Sequence, residues 1–160
     1  MIIAGIDPAL IITGYGVIDA QKDKFSLIEA GIIATSAKED LAARLNKIYQ
    51  AVTKLISDTK PDCLVLEKIY SHYQHPTTAY VLGHARGVIC LTCAVKNVPL
   101  IEYAATRIKK AIVGQGLAPK LQVQKMVASI LGLKDIPKYT DVTDALALAI
   151  AHSYIAKHTL

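Results

Sequence analysis

Apolar and polar positions fall in blocks along this chain, and the lengths and periods of the blocks separate strands from helices. Ile2-Ile3-Ala4-Gly5-Ile6, closed by Asp7, predicts a short buried strand over Ile2–Asp7. Gly14–Ile18 and Phe25–Thr35 predict two more, with the polar Gln21–Lys24 as a hairpin turn between them. Leu41, Leu45, Ile48, Val52, Leu55 and Ile56 recur at helical spacing, Asp40 suits the N-cap, and Pro61 ends the helix. Leu64-Val65-Leu66 is apolar on both faces, as in a central parallel strand, and runs into Glu67. Pro76 suits the first turn of a helix reaching about Lys96, and Pro99–Ile101 is a short strand. Helices follow at Ala104–Val113, Lys120–Leu131 and Asp141–Lys157. Three antiparallel strands, then two parallel ones separated by helices, predict one α/β domain over residues 1–160: a mixed five-stranded sheet flanked by helices.

Composition narrows the class. With 160 residues, 52% of them hydrophobic, the chain has enough apolar surface for a single core without disulfides. Cys90 and Cys93 form a C-x-x-C, but within an apolar run and without a second Cys/His pair at zinc spacing, so all three cysteines read as small buried residues. The best membrane candidate, Val142–Ala156, is too short and carries Asp144 and His152. The N-terminus lacks a basic leader and already reads as a strand, which leads us to expect a cytoplasmic protein. Eighteen Lys and Arg against 13 Asp and Glu give +5 and a pI near 9.1, a balance that favours a polyanionic partner.

Four acids carry the candidate chemistry. Asp7 and Glu67 each stand where a buried strand runs out, and α/β sheets build their sites beyond the carboxyl ends of strands. Asp141 and Asp144 are three apart at the start of an otherwise apolar helix, so they share a face and are drawn inward with it. Helix capping alone would account for two acids there, yet a helix N-terminus offsets only about 0.3–1 kcal/mol per negative charge. Two carboxylates ~4 Å apart repel by about 4 kcal/mol at an effective dielectric of 20. Four converging carboxylates must therefore take up protons or cations. Oxygen ligands at an open site suit Mg²⁺ or Mn²⁺ and the two-metal hydrolysis of phosphodiesters.

These residues sit in motifs whose order and spacing resemble the RuvC crossover-junction endonucleases, which have an RNase H-like fold. The motifs are GIDP at Gly5–Pro8, TGYGVI at Thr13–Ile18, LEKIY at Leu66–Tyr70, LGHARGV at Leu82–Val88, EYAA at Glu102–Ala105, VGQG at Val113–Gly116 and DVTDALALAIAH at Asp141–His152. The resemblance implies that Asp7, Glu67, Asp141 and Asp144 bind two Mg²⁺ ions per subunit, with Mn²⁺ as a substitute. It further implies that Tyr70 stacks on a base near the crossover and that Lys109 and Lys120 contact DNA. The implied activity is paired nicking of four-way junctions by a homodimer in recombination and repair, leaving 5′-phosphate and 3′-hydroxyl ends. The implied partner is a branch-migration complex of the RuvA and RuvB type. Gly83 and Gly87, four apart on one helix, would let it pack closely on the sheet or on a partner helix. The sequence departs from the family at Ala9-Leu10, where a Gly and a small polar residue are usual; a turn needing positive φ there would cost ~1–2 kcal/mol with Ala.

Two other readings remain open at this level. A non-catalytic junction-binding protein would have the same fold without metal-dependent nicking. GIDP also fits the phosphate loop of actin-like ATPases, although the further Gly-rich loops of that group are missing. The five histidines, at positions 72, 75, 84, 152 and 158, form no regular ligand pattern.

Overall fold

The structure, a computed structural model, describes residues 1–22, 24–69 and 76–157, with the backbone alone for 76–78. Among the described residues five strands form, β1 (Ile2–Asp7), β2 (Ile12–Gln21), β3 (Lys24–Ala34), β4 (Cys63–Glu67) and β5 (Leu100–Tyr103). They form one sheet in the order β3-β2-β1-β4-β5. β1 pairs antiparallel with β2 and parallel with β4, β2 pairs antiparallel with β3, and β4 pairs parallel with β5. This is the mixed sheet that the apolar blocks predict. β2 outruns the expected Gly14–Ile18 because it pairs with β3 from Ile12 to Gln21 across a bulge at Val17/Ile18. β5 continues past Ile101 through Glu102 and Tyr103, which pair with Leu66 and Glu67; polar residues hid that extension from the apolar pattern.

Helices cover both faces of the sheet: α1 (Leu41–Thr59) and α2 (Pro76–Val95) on one side, α3 (Ala105–Val113), α4 (Lys120–Ile130) and α5 (Thr140–Lys157) on the other. Strand parity sorts the core accordingly, since successive side chains alternate between faces. Ala4, Ile6, Leu64 and Leu66 meet α1 and α2, whereas Ile3, Cys63 and Val65 meet α3, α4 and α5. Asp7 and Glu67 have the parity of the second set. Among the described residues, no helix is long and apolar enough to cross a membrane.

Local chemistry explains the helix limits. The Asp40 carboxylate accepts a hydrogen bond from the Ala43 amide at 3.0 Å, capping α1, and Lys60 ends it in the left-handed region at φ 46°. Leu41, expected on the buried face, is exposed in the first turn. Cys63 and Cys93 are buried, and that burial pushes both thiols up to about 11, as fits inert core residues. α5 is the deepest helix, with every residue from Ala145 to Ser153 buried.

The structure decides two points that the sequence left open. Gly83 and Gly87 do not pack on the sheet, because a Cβ at either would meet open space. The turn after Asp7 does not need a positive φ, which among the described non-glycine residues occurs only at Lys22, Lys60 and Asn97. Instead Thr13 Oγ1 donates to the Ala9 carbonyl at 2.5 Å, and Leu10 inserts into the core on the α1 side. The Ala9-Leu10 departure is accommodated without backbone strain.

Candidate active site

The site is built where two central strands end under the first turns of α5. β1 and β4 are paired with Ile3 opposite Cys63 and Gly5 opposite Val65, so the same register brings Asp7 level with Glu67. α5 lies directly on this end of the sheet. A Cβ on Gly5 would overlap the Ala145 carbonyl oxygen, and one on Gly14 would overlap the Asp141 backbone. Gly14 is the cross-strand partner of Asp7. The absence of side chains at these two glycines therefore sets α5 close enough for its acids to reach the strand acids.

Asp7, Glu67 and Asp144 line one cavity of about 240 Å³, together with Lys109 of α3 and Lys120 of α4. Asp141 is not among the lining residues, yet its charge acts on both Asp7 and Lys120. Burial, reinforced by the charges of Asp144, Asp141 and Glu67, raises the Asp7 carboxyl from 3.8 to about 7. Glu67 is raised as well, by burial and then by Asp144, against the opposing charges of Lys109, Lys120 and Arg86.

Lys120 answers part of this excess negative charge. Its ammonium sits 2.5 Å from Asp144 Oδ2. Burial alone would lower its pKa, but the hydrogen bond to Asp144 and the charges of Asp144, Asp7 and Asp141 raise it. As the first residue of α4, Lys120 meets the unfavourable end of the helix dipole, so the acids opposite are what hold it there. The ion pair was not legible in sequence; a lysine at a helix N-terminus was the signal that something negative faces it.

The donor chemistry fits a hard divalent cation: several oxygen ligands, no competing soft ligand in the lining, and crowded carboxylates whose charge the neighbouring cations only partly offset. Among the described residues, no three acidic, histidine or cysteine side chains stand close enough together to ligate one ion as they are.

One further residue, Arg86, was not singled out by the sequence pattern. Arg86 of α2 hydrogen-bonds the Glu67 carbonyl at 2.8 Å and pairs with Glu102 of β5. Its signal was available: it is the one Lys, Arg, Asp or Glu in α2. His152 takes no part in the cavity; it is buried beside Tyr103, with Nδ1 2.8 Å from the phenol oxygen, and burial lowers its pKa. Tyr70, His72 and His75 lie outside the described residues.

Comparison with known proteins agrees with this geometry. The family profile described as "Crossover junction endodeoxyribonuclease RuvC" matches residues 3–152. The chain is 40% identical over 158 residues to the crossover junction endodeoxyribonuclease RuvC of Rhodopirellula baltica, covering 99% of this chain and 89% of that one. It is 42% identical over 154 residues to the protein of the same name from Alkaliphilus metalliredigens, covering 96% and 93%. Among solved structures, RuvC of Thermus thermophilus in complex with a Holliday junction substrate superposes with a TM-score of 0.91 at 29% identity, covering 99% of this chain and 96% of that one. A profile spanning nearly the whole chain, relatives at about 40% identity and the sheet order all agree: the chain belongs to the RuvC family of crossover junction endodeoxyribonucleases.

Proposed function

We propose that this protein resolves four-way (Holliday) DNA junctions by Mg²⁺-dependent phosphodiester hydrolysis, with Mn²⁺ as a working substitute. The observation that carries this reading is the meeting of Asp7, Glu67 and Asp144 with Lys109 and Lys120 around one cavity in a chain of this family. The junction complex of the T. thermophilus relative supports the choice of substrate.

Asp7 and Glu67, from adjacent strand ends, and Asp141 and Asp144, from α5, would hold two ions per subunit. When bound, such ions lower the pKa of an attacking water and neutralise charge on the leaving 3′ oxygen. The chain's own groups do the rest. The rigid strand ends fix the directions of Asp7 and Glu67, and α5 brings its two acids from the opposite side. Once released from Asp144, Lys120 is free for a phosphate oxygen, and Lys109 offers a second cation from α3. Such contacts position the backbone without reading its sequence. Tyr70 supplies an aromatic face for an unpaired base beside the crossover.

The protein acts as a homodimer of single nuclease domains in the cytoplasm, serving recombination and repair after a branch-migration complex of the RuvA and RuvB type. Tyr80, Leu91 and Val95 of α2 are 68%, 60% and 57% exposed, and Gly83 and Gly87 leave its backbone uncovered, which supports a second copy docking on this face. Two subunits would nick strands of like polarity as a pair, leaving 5′-phosphate and 3′-hydroxyl ends.

The test uses a synthetic four-way junction. Wild-type protein should sediment as a dimer and nick it in Mg²⁺ but not in EDTA. Asp7→Asn should retain junction binding and lose cutting by about 10²–10³-fold, as when a group central to charge stabilisation is removed. Cutting by Asp7→Asn at the wild-type rate would refute the assignment.

A further inference from the structure

We propose that Arg86 is a positioning residue for Glu67, holding the end of β4 so that this carboxylate keeps its direction into the cavity. The inference rests on the function proposed above. Arg86 lies on α2 with its side chain 13% exposed, and its guanidinium has two acceptors. Nη1 donates to the Glu67 carbonyl at 2.8 Å, and Nη2 pairs with Oε1 of Glu102. The carbonyl belongs to the very residue whose side chain enters the cavity. The next amide, that of Lys68, donates to the Tyr103 carbonyl of β5 at 2.8 Å. The peptide that follows Glu67 is thus tied to β5 through its N–H and to α2 through its carbonyl.

The geometry needs an arginine. A planar guanidinium presents two N–H directions at a fixed angle, which matches a carbonyl and a carboxylate on different elements; an ammonium is a single point without that fork. Glu102 points the guanidinium and compensates its charge, so the cation can be largely buried without competing for the Glu67 carboxylate. Groups that orient a ligand residue in this way commonly govern metal affinity. A purely structural ion pair would behave differently: its loss would lower stability and junction binding together, with no selective effect on metal.

The experiment compares wild type, Arg86→Met, Arg86→Lys and Glu102→Gln as full-length chains. Mn²⁺ binding to the free protein is followed by the electron paramagnetic resonance of unbound Mn²⁺. Junction affinity is measured in Ca²⁺, and single-turnover nicking is measured against Mg²⁺ concentration. Arg86→Met should weaken Mn²⁺ binding and slow nicking by about 10–100-fold while junction affinity is unchanged. Arg86→Lys should recover part of the loss, and Glu102→Gln, whose amide oxygen still accepts but no longer compensates the guanidinium charge, should fall between wild type and Arg86→Met. Wild-type Mn²⁺ affinity in a folded Arg86→Met overturns the inference, as does a loss confined to melting temperature and junction affinity. If Arg86→Met does not fold, Arg86→Lys decides in the same way: weakened Mn²⁺ binding supports the clamp and wild-type binding refutes it. If wild type binds Mn²⁺ but nicks no junction, the proposed function fails while the clamp is still judged on metal binding.

Discussion

Asp7 illustrates how a single residue can be poised against itself. Its carboxyl is forced by burial and three neighbouring acids up to about 7, so without a divalent cation the folded protein keeps a proton that the unfolded chain gives up near pH 3.8. Because the folded value lies above the unfolded one, the stability this group lends is fully present below about pH 4 and is lost as pH rises through about 7. Asn cannot ionise and escapes this penalty. In EDTA, Asp7→Asn should therefore match wild type near pH 4 and exceed it at pH 8. The excess is on the order of a few kcal/mol, since each tenfold change in proton affinity corresponds to ~1.4 kcal/mol. Thermal melts across this range check it, and adding Mg²⁺ at pH 8 should close the gap by stabilising wild type alone. Superimposable melting curves at every pH would show that Asp7 is not under electrostatic strain. The strain was foreseeable in kind from four acids in apolar settings; Lys120 as an internal counter-cation was not, because the fold alone brings α4 to α5.

Among the elements, β1, β4 and α5 do most to define the site, and they differ in how openly the sequence displays them. Both strands were readable because each is an apolar run that stops at an acid. α5 was readable as a helix because apolar residues occupy every side of it after Asp144. Its depth on the sheet was not, since nothing in GIDP or TGYGVI announces that a helix crosses above those glycines at contact distance. The same gap hides why Ala9-Leu10 carries no strain: the chain buries Leu10 and uses Thr13 to close the turn, contacts that only the folded chain makes. Gly5→Ala measures the importance of the close approach. The new methyl would overlap the Ala145 carbonyl, so α5 must move outward, at a cost of about 1–3 kcal/mol by analogy with overpacked cores. A displacement of ~1 Å at Asp144 should also slow Mg²⁺-dependent nicking by about 10²-fold. Melting temperature and single-turnover rate read the two effects separately. A Gly5→Ala protein of unchanged stability and rate would mean that α5 does not ride so low on the sheet.

Across the whole molecule, charge and shape assign different tasks to the two faces of the sheet. The α3, α4 and α5 side carries the acid cavity and the lysines beside it, so an overall charge of +5 coexists with carboxylates crowded and buried enough to hold Asp7 and Glu67 above their ordinary pKa range. The α1 and α2 side carries an uncovered apolar helix face, and Arg86 reaches from that same helix to the end of β4. Fold class was legible because it is written in local pattern, and so was the placing of Asp7 and Glu67 at strand ends and of Asp141 and Asp144 in the first turns of α5. The linkage between the faces was not, because Glu67 and Glu102 become neighbours only when β4 pairs with β5, and Arg86 reaches them only once α2 packs beside that pair. All of this converges on one requirement, that the acids gather divalent cations. Crystals soaked in Mn²⁺, with diffraction recorded at the manganese absorption edge, put that requirement to the test. Anomalous peaks are expected between Asp7, Glu67, Asp141 and Asp144, with Lys120 withdrawn from Asp144. Saturating Mn²⁺ that leaves no peak among these carboxylates, with the Lys120–Asp144 pair still closed, would refute it.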